Sequence, residues 1–139
     1  MKNFPAKFKA VIATLLVAIS FILPYYPDKM DAKAEPIEAG VQEAVITFEN
    51  GTNRSVVCVP DEFKLETKTP EGWVEIDGAF VAAAFESLDS TMTDTITVNF
   101  GSPLAIGDYV MTFTFKTTNG WLTKNRTFTT EYAFSAAAE

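Results

Sequence analysis

The chain has 139 residues, with 18 acidic and 11 basic side chains, one cysteine and no histidine, for a formal charge of −7. That length holds one domain. The missing histidine removes Ser-His-Asp and Cys-His catalysis and most zinc sites, a lone cysteine forms no internal disulfide, and the acidic balance speaks against nucleic acid as a partner.

The N-terminus reads as a targeting segment. Lys2, Lys7 and Lys9 precede a nearly unbroken apolar run over residues 10–23 (AVIATLLVAISFIL). Ala32 and Ala34 then place small residues where a signal peptidase reads them, so residues 1–34 are expected to be a signal peptide cut before Glu35. The alternative is an uncleaved anchor over residues 10–26, short beside the roughly 20 apolar residues of a spanning helix. Either reading places the remainder outside the cytoplasm. That remainder carries sixteen acids against six bases, a formal charge of −10. A membrane contact is therefore expected only through residues 10–26, if they are kept.

Residues 35–42 read as a linker, and residues 43–134 as a run of strands and turns. Residues 44–49 (AVITFE) form a strand closed by the turn 50–53 (NGTN), and residues 55–59 form a second, stopped by Pro60. Residues 63–69 (FKLETKT) alternate with Phe63 and Leu65 inward, and Pro70-Glu71-Gly72 turns them into residues 73–77 as a hairpin. Residues 79–85 (AFVAAAF) suit a buried strand or a helical turn equally. In residues 93–100, Ile96, Val98 and Phe100 share one face, as Tyr109, Met111, Phe113 and Phe115 do in residues 109–116. Asn119-Gly120 is a hairpin signal leading into residues 121–130, and residues 135–139 read as a frayed tail. About seven short strands in some hundred residues predict an all-β antiparallel sandwich, with the N-terminal apolar segment as a preceding helix.

Between residues 45 and 116 the order of motifs resembles the bacterial Ig-like domains of small exported proteins, mostly of Gram-positive bacteria. A strand ends in Asn and a polar turn (Ile46-Thr47-Phe48-Glu49-Asn50-Gly51), and a Leu-containing strand leads to a Gly-Trp hairpin (Leu65 to Trp73). Ala79-Phe80 comes next, and Leu104 to Tyr109 match Leu-x-x-Gly-x-Tyr before the last apolar strand. The resemblance implies an immunoglobulin-like sandwich in an exported setting and brings no catalytic residues or cofactor. In such folds a Tyr opening a strand sends its hydroxyl back to the upstream backbone. Residues 101–108 would thus be a crossover between sheets, with Tyr109 as its latch and Gly107 as the tight point of its backbone. Trp73 is expected to be a packing residue, and Cys58 a small buried hydrophobe.

No constellation for chemistry is visible, so a non-enzyme is expected. The acids occupy turns and outward positions, and residues 89–94 (DSTMTD) lack the ligand alternation and Gly of a calcium loop. Trp121, beside Asn119 at a hairpin tip, is the candidate partner-binding residue, since exposed loop aromatics anchor proteins or sugars. The expected function is a secreted or cell-surface binding or structural module whose partner is a protein or a cell-wall glycan. The alternative is a secreted proteinase-inhibitor-like protein presenting residues 82–94 as an exposed loop.

Overall fold

The computed structural model describes residues 29–118 and 124–138; the apolar N-terminal run, Asn119 and Trp121 lie outside them. Among the described residues, nine strands form two sheets: β1 (Met30–Lys33), β2 (Glu43–Asn50), β3 (Val56–Cys58), β4 (Lys64–Thr69), β5 (Gly72–Glu75), β6 (Phe80–Ala83), β7 (Thr93–Asn99), β8 (Gly107–Thr117) and β9 (Thr127–Ala136). A 3-10 turn, Pro60–Glu62, joins β3 to β4. The pairings between these strands are antiparallel.

The first sheet has the order β1-β2-β7-β6. In the second, β9 runs beside β8 from Gly107↔Ala136 to Lys116↔Thr127. Strands β3 and β4 therefore share the other side of β8 end to end, at residues 115–117 and 109–112, and β5 lies outside β4.

Period-two patterning explains which faces meet. Ile46 and Phe48 of β2, Ile96 and Val98 of β7, and Met111, Phe113 and Phe115 of β8 are all fully buried between the sheets. Phe48 sits edge-on to Phe113 and Phe115, with ring centroids 4.9 and 5.2 Å away. That is the arrangement in which positive ring edges meet negative faces. The apolar segment 79–85 resolves as a short edge strand, β6, whose register shifts between Val81 and Ala83.

At both ends the described fold reaches beyond the strands that the sequence pattern marks. Residues 30–33, expected to leave with a signal peptide, are β1: Met30 pairs with Asn50 and Lys33 with Thr47, and the Met30 side chain is 3% exposed. The expected linker 35–42 belongs to the fold. Ile37 is buried, Glu38 makes a parallel bridge to Ala137, the Ala39 amide donates to the Ala137 carbonyl, and that of Gly40 donates to Leu104. This segment thus leaves the first sheet and joins the open edge of β9 in the second. The supposed frayed tail is held by the same contacts, for β9 runs to Ala136, which is buried. Its strand starts at Thr127, and the described residues 124–126 before it are not strand; the expected strand residues 121–123 lie outside the described residues.

Candidate functional site

Residues 101–106 carry the chain from β7 in one sheet to β8 in the other. The Tyr109 hydroxyl donates to the Ala105 carbonyl at 2.7 Å, and its buried ring stacks on Phe134 with centroids 5.3 Å apart. Asp108 adds two ties, its carbonyl accepting from Thr67 Oγ1 and its carboxylate from Ser135 Oγ. The corner is therefore fixed by side chains from β4, β8 and β9. Tyr109→Phe is expected to cost about 1 kcal/mol, because the Ala105 carbonyl loses its donor. Urea denaturation of the two proteins reads the difference.

Gly107 is not the tight point. Its φ is not positive, and a Cβ there would meet only ordinary contacts, at 3.8 Å to the Tyr109 ring and 3.9 Å to Thr67 Oγ1. The demanding glycine is Gly101, with φ +83°, where a Cβ would come within 2.7 Å of the backbone oxygen of Gly78. Gly101→Ala is expected to cost about 2 kcal/mol or more through left-handed strain and backbone collision. Gly107→Ala should stay within about 0.5 kcal/mol in the same denaturation experiment.

The other end of the sandwich is organised by Asn50, which is fully buried. Its Oδ1 accepts from the Thr52 amide at 2.9 Å and lies 2.7 Å from Thr52 Oγ1, while its Nδ2 donates to the carbonyls of Arg54 and Leu88, both at 2.8 Å. Its backbone accepts from Thr91 and donates to Met92. One side chain thus closes the loop 51–55 on itself and ties it to residues 88–92. Arg54 continues the network: its guanidinium donates to the carbonyls of Thr118 and Lys124 and to Asn125 Oδ1. The base of the β8–β9 hairpin is further closed by Thr117, whose amide donates to the Arg126 carbonyl and whose Oγ1 accepts from the Arg126 amide.

Sequence reasoning placed Asn50 only at a strand end before a polar turn and missed its buried side chain, although a signal was present. Ile46, Phe48 and Asn50 have the same parity on β2, so an amide stands where the pattern calls for an apolar inward residue. Such a group is stable only when its hydrogen bonds are made inside.

The expected binding residues Trp121 and Asn119 lie outside the described residues; the neighbouring Thr118 and Lys124 are the hairpin shoulders that Arg54 holds. Trp73, expected to pack, is instead 46% exposed on edge strand β5, with the Lys68 ammonium 5.9 Å from its ring centroid. The two residues are direct cross-strand partners. Beside them runs a shallow groove lined also by Asp108, Phe134 and Ser135. Trp73 left the core because β5 is an edge strand without a facing layer, which a local hairpin signal does not reveal.

Within residues 82–94, the stretch 88–92 is fastened to the loop 51–55, while most side chains of the segment are exposed. Leu88 is buried and exchanges both backbone hydrogen bonds with Val56 at 2.9 Å, Ser90 Oγ donates to the Thr52 carbonyl, and Asp89 accepts from Ser55 Oγ. Burial pushes the Cys58 thiol up to about 11, so at neutral pH it stays protonated and poorly nucleophilic. Among the described residues there is no group of three or more metal-ligating side chains, and no helix is long and apolar enough to cross a membrane. Comparison with protein-family models, curated proteins and solved structures gives no match for this chain.

Proposed function

We propose that the chain is an exported bacterial Ig-like module with a non-catalytic binding or structural role at the cell surface. The observation that carries this reading is the way the first strand region serves both sheets. β1 opens the sheet β1-β2-β7-β6, and residues 37–39 then bridge in parallel to the end of β9, which flanks β8. On this reading the first sheet corresponds to A-B-E-D, and the second to G-F-C with β5 as an added edge strand and the short β3 end to end with β4. The Tyr109 hydroxyl on the Ala105 carbonyl has the form of the corner tyrosine of such folds. Export is supported by the basic residues and apolar run of the N-terminus.

The recognition surface belongs to loop ends and sheet edges: Trp73 is exposed on edge strand β5, and the sequence pattern marks Trp121 as a hairpin aromatic. A protease-inhibiting loop needs an extended segment free to enter a cleft, and the fastening of Leu88, Asp89 and Ser90 speaks against residues 82–94 in that role. Sedimentation of the purified domain with isolated Gram-positive cell walls tests the binding role. Retention is expected, weakened at least about tenfold by Trp121→Ala or Trp73→Ala with an unchanged unfolding midpoint. No retention on walls or on solubilised surface proteins, with either aromatic replaced or intact, would contradict it.

A further inference from the structure

The structure bears on which of the two fates of the N-terminal segment holds. Cleavage before Glu35 would delete β1, with its four register pairs to β2, the buried Met30 and the bond from the Gly51 amide to the Lys29 carbonyl. A cut just after β1 would remove an edge strand of the finished sheet, so the export step would dismantle its own product. The chain from the last apolar residue, Leu23, to Met30 is seven residues, at most about 25 Å when fully extended. A retained apolar segment would therefore hold the sandwich close to the bilayer, and by a defined end.

That end differs in charge from the rest. The register brings together the start of β1, the end of β2, the loop 51–55, the end of β8 and the start of β9. Lys29, Arg54, Lys116, Lys124 and Arg126 lie there, five of the eight cations among the described residues. The carboxylates at this end are Asp31, Glu49, Glu86, Asp89 and Asp94. Of these Asp31 lies 3.3 Å from the Lys29 ammonium, and Asp89 accepts a hydrogen bond from Ser55. The other eleven described carboxylates face only Lys33, Lys64 and Lys68 over the remaining surface. An eleven-residue strand such as β8 spans about 37 Å. The acidic far end is thus several Debye lengths, each about 8 Å at physiological salt, from anything that touches the basic end.

We infer that the apolar segment is retained as a membrane tether and that the sandwich stands end-on, its Lys29/Arg54/Lys116/Lys124/Arg126 end against an anionic lipid surface. This rests on the exported reading. Lys2, Lys7 and Lys9 before the apolar segment keep the N-terminus inside and put the sandwich outside. The overall negative charge does not oppose the contact, because an anionic lipid surface acts mainly on charges within about one Debye length, roughly 8 Å.

The test is made on the full chain in a Gram-positive host and in vesicles. The expected product is full-length, in the membrane fraction, and cut by protease added to protoplasts. A soluble species outside the cell, beginning at Glu35 or at any other residue, overturns the tether while leaving export intact. A soluble species inside the cell, untouched by the protease, overturns export as well. In vesicles of phosphatidylglycerol and phosphatidylcholine, a fluorophore at Asn53→Cys is compared with one at Glu71→Cys, both on Cys58→Ser, using a headgroup-attached quencher. The label at residue 53 should be quenched several-fold more, and Lys116→Glu with Lys124→Glu should reduce the difference. Equal quenching at the two positions overturns the end-on orientation.

Discussion

Replacing Asn50 with Ala is expected to cost about 3–4 kcal/mol, although the residue touches no expected ligand and lies at the end of a strand. The cost follows from what stays behind. The Thr52 amide loses its acceptor, and the carbonyls of Arg54 and Leu88 each lose one of two donors, at a site where Asn50 and Thr52 are buried. Leucine fares no better, since it fills the volume without satisfying those groups. Asn50→Asp keeps the acceptor for Thr52 but turns a second oxygen toward two carbonyls, so it is expected to destabilise at least as much as Ala. Urea unfolding measures all three variants. Because Asn50 holds the loop 51–55 and, through it, Arg54 under the β8–β9 hairpin, Asn50→Ala should also loosen that end before the rest of the domain. Faster amide exchange at Thr52, Thr118 and Arg126 than at Ile96 would show it.

The second large effect is expected from truncation. A chain starting at Lys29 should keep the stability of the whole domain, whereas one starting at Glu35 should lose about 3–5 kcal/mol, a fall of at least about 10 °C in Tm. Met30 alone is a buried core side chain, and the pairing of β1 with β2 goes with it. The loss also changes association behaviour. Without β1, the eight residues of β2 become an open edge bearing Val45, Ile46, Thr47 and Phe48. An exposed edge of that composition is a template for pairing with another chain. The shorter protein is therefore expected to form concentration-dependent oligomers in sedimentation velocity, and the longer one is not.

These two effects mark where the sequence was and was not legible. The central strands β2, β7 and β8 were readable because both requirements act locally. Side chains alternate with period two, and one face must be apolar, so Ile46/Phe48, Ile96/Val98 and Met111/Phe113/Phe115 announce their own burial. β1 was not readable, since in Met30-Asp31-Ala32-Lys33 only Met30 and Ala32 turn inward and nothing local distinguishes them from a polar linker. That strand exists because β2 offers an unpaired edge, which is a long-range fact. The same holds for Ala136, buried at a position that composition marks as a tail, because the chain closes there against residues 37–39.

Among the functional candidates, the Tyr109 corner was legible as a local motif, while its supposed glycine was misjudged. Position 107 sits beside the tyrosine in sequence, but the crowding falls on Gly101, where residues 78 and 101 meet. The aromatic surface was only half legible. The hairpin signal drew attention to Trp121, whereas the exposure of Trp73 depends on β5 having a neighbour on one side alone.

One segment serves both sheets, from β1 on the edge of β2 to the bridge between Glu38 and Ala137, and the Ig-like reading depends on it. Cross-strand NOEs in the isotope-labelled domain beginning at Lys29 test it most directly. The expected result is contacts of residues 30–33 with residues 47–50, and of residues 38–39 with residue 137, in the same folded species. A spectrum with the strands β2 and β7 paired but with residues 29–39 free of both partners would contradict it. The Ig-like reading and the tether built on β1 would fall with it.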